Sequence, residues 1–404
     1  MSGIDIVNGL VPDEANADFF AWLRRMRDTE PVSYDPATNT WSVFGHAETM
    51  HIVSNPEIFS NDLSAITPPQ EDYDVFFQGN IAGMDDPQHG KFRGVVSKVF
   101  SARYIAGLED RLTGIATELI DGVGDKEQFD LAVDFASPFP VAVITDILGA
   151  DREDASLFAE WANLLHASDA SMDGVMAAAM NLRTLNAYMF DIIRKRRAAP
   201  QDDLISLLIG AEVEGRRLTD AEIVGFAGVL LMGGITTTAA LISNIILLFD
   251  RSPGDWAKVR ADRTLVPKAI EEIVRLRPSF SSFVRMTTCD TELGDEYIPA
   301  GSLVKIWVSS ANRDAAQFPD AERFDIHRSP NRHAGFGKGI HFCIGAPLAR
   351  LEGRIAFNLL LDRYADVRVD RSRDITFLDT GDMLGALRLP VTATRDEFSA
   401  ALTH

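Results

Sequence analysis

The sequence predicts a mainly α-helical protein with small β-sheets, folded as a single domain over residues 1–404. Three observations lead there. Ile223 to Phe249 is almost continuously apolar and opens on Thr219-Asp-Ala-Glu222, a capping-box pattern that marks a helix start. From about Pro87 to Ala199 the periodicity is helical, with boundaries at Pro138, Asp151 and Pro200. The extended pieces between helices are short, which suits small sheets beside a helical body.

Along the chain, Pro31–Tyr34 and Trp41–Phe44 flank the turn-rich Asp35-Pro-Ala-Thr-Asn and read as a hairpin. The long apolar helix, at roughly 1.5 Å per residue, spans about 45 Å, the width of a domain. Pro267 opens a further helix that Pro278 closes. Strand-like pieces follow at Thr291–Ile298 and Leu303–Val308, then a loop-rich stretch from Asn312 to His341 and a helix from about Gly345 to Tyr364. No repeat, low-complexity tract or Gly/Ser linker divides the chain, so one undivided domain is expected.

Composition narrows the function. A net charge of −20 argues against nucleic acid and against docking on anionic membranes, both of which need clustered Lys and Arg. Ile223–Phe249 is long enough for a membrane span, but Asp220, Glu222 and Asp250 flank it without an aromatic belt or basic cluster. A buried strut is the better reading. The two cysteines, Cys289 and Cys343, imply no disulfide framework and a reducing compartment. The N-terminus carries no basic segment followed by an apolar run, so a cytoplasmic protein without membrane anchor is expected.

The most informative segment is Phe336-Gly-Lys-Gly-Ile-His-Phe-Cys-Ile-Gly345. A lone cysteine is ordinarily a small buried hydrophobe. Here Gly337, Gly339 and Gly345 let the backbone bend tightly and approach a flat ligand. Cys343 also sits just before a helix, whose N-terminal dipole favours an anionic sulfur. No second cysteine or ordered histidine pair lies at zinc-ligand spacing.

These residues match the haem-binding signature Phe-Gly-x-Gly-x-His-x-Cys-x-Gly at every fixed position, and Ala349-Arg-Leu-Glu352 adds to the likeness. The chain resembles a bacterial soluble (class I-like) cytochrome P450, a haem-thiolate monooxygenase, along nearly its whole length. The resemblance implies a triangular-prism-like domain with haem b between the long central helix and the cysteine-loop helix. It implies Cys343 as the iron ligand, with Phe336, Gly337 and Gly345 shaping the loop around it.

Further residues acquire roles through the same resemblance. Asp86-Pro-Gln-His89-Gly-Lys-Phe-Arg93 resembles the segment that binds the haem propionates, and Arg285 and His341 fit the remaining propionate positions. Without that context, the i, i+4 pair His89 and Arg93 reads as a solvated helix face. Glu272-Ile-Val-Arg275, by itself an ordinary surface ion pair, resembles the family's structural Glu-x-x-Arg pair. The loop Phe318–Phe324 nominates Arg323 as its third member.

On the central helix, Leu231-Met-Gly-Gly-Ile-Thr-Thr-Thr238 aligns with the oxygen-activating pattern Ala/Gly-Gly-x-Asp/Glu-Thr. Gly233 and Gly234 are expected to loosen the helix and open a groove for dioxygen, with Thr237 as the alcohol. Val229, Gly233 and Thr237 recur every four residues on one stripe. Thr236 stands where the family carries an acid, so proton delivery is not assigned by analogy.

The implied reaction uses O2, two protons and two electrons from a separate ferredoxin or flavodoxin-type donor, and hydroxylates or epoxidises a hydrophobic small molecule. Such a substrate would be a secondary metabolite, terpenoid, steroid or fatty acid. Its walls are expected in the loop Leu63–Ile81 (Tyr73, Phe76, Phe77), in Ser279–Val284 (Phe280, Ser282), in the turn Asp382–Leu384 (Met383), and at Val229. Lys338, Lys91, Arg93, Arg103 and Arg350 form the expected donor-docking face. A peroxygenase, a coupling or desaturating P450, a non-catalytic haem sensor and a haem-free helical protein remain alternatives at this stage.

Overall fold

The structure, a computed structural model, describes residues 12–66, 71–166, 172–213, 215–378 and 381–395. Its axis is the helix Asp220–Asp250, 31 residues long. Thr219 and Glu222 form the capping box in full: the Thr219 hydroxyl accepts from the Glu222 amide at 3.2 Å, and Glu222 accepts from the Thr219 amide at 2.9 Å. This is the one described helix long and apolar enough to cross a membrane, and 72% of its apolar window is buried inside the protein. Helices Glu71–Gly79, Pro138–Ile147, Ala155–His166, Met172–Ala198 and Ala346–Arg363 pack around it. An all-round apolar helix is stable in this setting because every face meets another element.

A five-stranded sheet lies to one side, in the order Val32–Asp35, Thr40–Val43, Leu303–Ile306, Phe283–Thr287, Phe59–Ser60. The predicted hairpin forms its antiparallel edge, with Val32 opposite Val43. Leu303–Ile306 pairs in parallel with Thr40–Val43 and so ties the two ends of the chain together. The strand Phe283–Thr287 has no counterpart in the sequence reading. It is short and its burial hardly alternates, so periodicity gives little signal. Thr291–Ile298 resolves into two strands, Thr291–Leu293 and Glu296–Ile298, turning at Gly294 with φ +60°. Chain from 312 to 341 is largely loop, held by side chains rather than by ladders.

Those side chains form a buried ionic cluster. The helix Val266–Leu276, with Pro267 in its first turn, carries Glu272 and Arg275, both at 0% exposure. Arg275 binds Glu272 through two bonds of 2.8 Å. It also donates to the carbonyls of Asn312 (2.8 Å), Ala321 (2.6 Å) and Arg323 (3.1 Å). The third ionic member differs from the expectation. Arg323 contributes only that carbonyl, and the side chain that reaches Glu272 belongs to Arg328, whose Nε lies 3.1 Å from both carboxylate oxygens. Asp325 N and Asn331 Nδ2 complete the shell around Glu272 at 3.0 and 3.2 Å. Such a network fixes the irregular loop against the core because the buried charges of Glu272 and Arg275 are paired and hydrogen-bonded.

Candidate active site

A cavity of about 500 Å³ lies between the central helix and the cysteine loop. Its floor is Phe336–Leu348, including Cys343. The loop doubles back so that the Cys343 amide donates to the Phe336 carbonyl at 2.9 Å. Gly337 and Gly339 hold φ of +68° and +70°, a region that L side chains rarely occupy. A Cβ at Gly339 would also lie 2.6 Å from the Val53 carbonyl oxygen. The loop therefore needs glycine here for two separate reasons. Burial pushes the Cys343 thiol up, while backbone N–H groups of Gly345 and Ala346 and the charges of Arg93 and Arg350 favour the thiolate.

The opposite wall is the central helix. Val229, Gly233, Gly234, Thr237, Thr238 and Leu241 line the cavity. The helix stays regular through the glycines, so the expected loosening is not seen. Gly233 instead leaves open space, with nothing near the position of a Cβ, whereas at Gly234 a Cβ would meet Ile144 at 2.6 Å. Gly233 thus makes room in the cavity and Gly234 permits helix packing. The Thr237 hydroxyl donates to the Gly233 carbonyl, leaving its lone pairs as acceptors. Thr236 points elsewhere: its hydroxyl is buried without a hydrogen-bond partner, and it is not among the described residues lining the cavity.

At one end the cavity meets His89, Arg93, Arg285 and His341. The rings of His89 and His341 lie 4.3 Å apart. Both His89 nitrogens and His341 Nε2 are buried without hydrogen-bond partners. Burial, then the charges of His89, Arg285 and Arg93, push His341 down to about 3. Burial lowers Arg285 to about 10, opposed only by Asp85. Arg93 donates to the carbonyls of Ile340 (2.5 Å) and Phe342 (2.6 Å), bracing the loop. Two guanidinium groups and two imidazoles thus converge with little counter-charge, a donor set suited to a bound dianion.

Of the expected substrate contacts, Val229, Phe280 and Ser282 line the cavity. Phe76, Phe77 and Met383 are not among the described residues that do. Phe76 sits on the helix Glu71–Gly79 and packs on the central helix, 3.0 Å from where a Gly228 Cβ would be. Phe77 stacks edge-on against Phe76, and Met383 is buried in a bridge with Phe280. The region read as a loop is partly helix, which turns Phe76 into the core and leaves Phe77 exposed. The side chain of Tyr73 and residues 67–70 lie outside the described residues.

Of the expected turn Asp382–Leu384, Asp382 lines the cavity, whereas sequence reasoning gave no role there to Asn61, Ile144, Thr238 or Glu352. Asp382 accepts from Ser282 Oγ at 2.5 Å and pairs with Lys305 at 2.6 Å. A second ion cluster was also missed. Arg350 binds Glu271 through bonds of 2.7 and 2.8 Å, lies 4.4 Å from the Phe336 ring, and shares Glu271 with His333. Burial would raise Glu271, but Arg350 and His333 together hold it at about 2. Arg350 and Arg93 are therefore turned to the cysteine loop rather than to a docking face, whereas Lys91, Arg103 and Lys338 are exposed.

The sequence profile of the family "Cytochrome P450" matches residues 176–392. The cyclomarin C epoxidase of Salinispora arenicola is 40% identical over 374 residues, covering 92% of this chain and 94% of that protein. This chain belongs to the cytochrome P450 family. The erythromycin C-12 hydroxylase of Saccharopolyspora erythraea is 37% identical and covers 97% of this chain and 98% of its own length. The crystal structure of CYP109E1 from Bacillus megaterium in complex with corticosterone superposes with a TM-score of 0.85 at 33% identity, covering 94% and 99% of the two chains. The protein is thus a bacterial P450 monooxygenase of the P450 fold, a family that holds a haem iron and uses dioxygen. The residues present fit that group: a buried thiol on the cavity floor, an apolar wall opposite, and unpartnered histidine nitrogens beside two arginines at one end.

Proposed function

We propose that this P450 hydroxylates or epoxidises a largely apolar secondary metabolite, with electrons from a separate ferredoxin or flavodoxin-type protein. The observation that carries the reading is the shared cavity of about 500 Å³, where Cys343 faces Val229, Gly233 and Thr237 across a mostly apolar space. The lining on the side of Val229 and Phe280 is mostly apolar, which suits a hydrophobic compound better than a small acid. The named relatives, an epoxidase and a hydroxylase acting on cyclomarin C and erythromycin, support the same class.

When bound, haem b supplies the redox chemistry that inserts one oxygen atom of dioxygen into a C–H bond or alkene. The chain supplies everything else. The Cys343 thiolate, favoured by the loop amides and by Arg93 and Arg350, ligates the iron and tunes it. Arg285, Arg93, His89 and His341 hold the propionates, and the unpartnered ring nitrogens would gain acceptors there. Gly233 leaves room for dioxygen, and the Thr237 oxygen offers a nearby water a hydrogen-bond acceptor. Val229, Phe280 and Ser282 orient the substrate and exclude water. Residues 1–404 act as a single domain, and Lys91, Arg103 and Lys338 form the positive face that an acidic donor meets.

The test is spectroscopic. The ferrous–CO complex is expected to show the strongly red-shifted Soret band of a thiolate-ligated haem. A Cys343→Ala protein that keeps that band overturns the assignment. A library of polycyclic and macrocyclic compounds, screened for spin-state shifts of the ferric protein, then defines the substrate.

A further inference from the structure

Asp382 shares the cavity lining with Val229, Leu230, Phe280, Phe283 and Val308. Two donors hold it, Ser282 Oγ at 2.5 Å and Lys305 Nζ at 2.6 Å, and both bind Oδ1. No described residue donates to Oδ2. Lys305 is not among the described residues that line the cavity, and its ammonium lies 4.5 Å from the centre of the Trp307 ring. Ser282 does line it, but its proton is given to Asp382, so its oxygen has only lone pairs to offer. This patch of the wall is therefore made of acceptors. It is also fixed in place. The Asp382 carbonyl accepts from the Ser281 amide at 2.7 Å, and the Leu384 amide donates to the Ser279 carbonyl at 2.9 Å. Two bonds tie the patch to the central helix: Asn244 Nδ2 donates to the Leu384 carbonyl at 2.8 Å, and Ser279 Oγ donates to the Thr237 carbonyl at 2.7 Å. The acceptors thus keep a set offset from the Thr237 turn.

We propose that Asp382, with Ser282 beside it, anchors a neutral hydrogen-bond donor of the substrate, an alcohol O–H or an amide N–H, and so sets which carbon faces Thr237. The inference rests on the P450 reading above and deepens it: the substrate is an apolar molecule with a donor at a set distance from the oxidised carbon. Charge favours a neutral group over an ammonium. Lys305 already lies against Oδ1, so a second cation would give up its water for a carboxylate that has its counter-charge. A neutral donor loses less water, and its bond to a charged acceptor is still stronger than one between neutral groups. A carbonyl or ether placed at the same spot finds no proton to accept. It would cover both acceptors and leave them unpaired, which is how a polar patch in an apolar site discriminates.

The test uses the haem-loaded protein and matched sets of polycyclic compounds that differ at one position: an alcohol, its methyl ether, its ketone and its primary amine. Affinity is read from the spin-state shift of the ferric haem. In at least one set the alcohol should bind roughly ten-fold to 100-fold more tightly than the ether or ketone, as the loss of a bond to a charged acceptor implies. In Asp382→Asn, which keeps the shape, that preference should shrink several-fold, and turnover should spread over more product positions. A merely structural role for Asp382 would weaken alcohol and ether alike. In Lys305→Met the carboxylate loses its counter-charge, and the amine should bind more tightly than it does to wild type. Should Asp382→Asn fail to hold haem, the alcohol-to-ether ratio of wild type decides. The proposal is overturned if no set favours the alcohol over its ether, or if Asp382→Asn keeps the full preference. A wild type that favours the amine over the alcohol overturns the neutral donor. These failures leave the red-shifted ferrous–CO band in place, whereas its absence from wild type overturns the haem-thiolate reading itself.

Discussion

Two glutamates among the described residues are at 0% exposure, and their surroundings are opposites. Glu272 receives hydrogen bonds from Arg275, Arg328, Asn331 and the Asp325 amide. Glu352, on a helix packed against the same core, receives none from the protein. A buried charge is tolerated only when paired and hydrogen-bonded, and an unpaired carboxyl avoids the cost by keeping its proton. The first arrangement holds a loop in place. The second leaves an unpaired carboxyl group in the wall of a cavity, where burial favours its neutral form. Burial by itself therefore says little about a carboxyl group, and its partners say most.

The comparison is tested hardest at Arg275. Arg275→Ala leaves Glu272 with its charge buried and one of its two guanidinium partners gone, a loss of roughly 3–5 kcal/mol. The expected outcome is a collapse of haem-loaded protein yield and a much lower urea midpoint. Glu272→Ala should do the same. Arg328→Ala should follow in the same direction, while Arg323→Ala should change little, because only the carbonyl of Arg323 takes part. Equal effects at 323 and 328 would remove Arg328 from the cluster.

Glu352 should respond with the opposite sign. Replacing a buried polar group that has no partner by an apolar one of similar length, as in Glu352→Met, should stabilise the protein by roughly 1–3 kcal/mol at neutral pH. The pH dependence separates this from a packing gain. The folded-state carboxyl is raised, so below the ordinary carboxyl range both folded and unfolded chains carry the proton. As pH rises through that range the unfolded chain ionises first, unfolding releases a proton, and wild-type stability falls. The advantage of Glu352→Met should therefore grow between about pH 4 and pH 7, the interval opened by an ordinary glutamate of about 4.3. A constant advantage across that interval, read from urea midpoints, would mean that Glu352 ionises in the fold.

Much of this was legible in the sequence, for identifiable reasons. Thr219 and Glu222 announce the central helix because capping is local chemistry, and Phe336–Gly345 announces the floor of the site because the glycines are required by the backbone itself. The Glu272–Arg275 pairing follows from helical spacing. Its burial does not, and neither does the identity of its partner, since 323 and 328 lie in a loop where side-chain direction has no period. Phe76 and Phe77 were misplaced because a short amphipathic helix was read as a loop. Glu352 stood in a recognised run of residues, but that it lacks partners is a three-dimensional fact.

Thr236 offers the finest version of the contrast, since it too is a buried polar group without a partner. Its position in sequence matches the family's acid, which would make it part of proton delivery. Its position in space puts it outside the cavity lining, one residue from Thr237 and so about 100° around the helix. Thr236→Val keeps the shape and removes only the hydroxyl. If the hydroxyl does nothing but sit unbonded, its loss should stabilise the protein slightly, by about 0.5–1 kcal/mol, a fraction of the cost of an unmade hydrogen bond. Product per reductant and peroxide release should both stay at wild-type levels. A small rise in urea midpoint with unchanged coupling would place the hydroxyl among the silent buried groups. Uncoupling in Thr236→Val would do the reverse, because a shape-conserving change that spills peroxide can act only through the lost O–H.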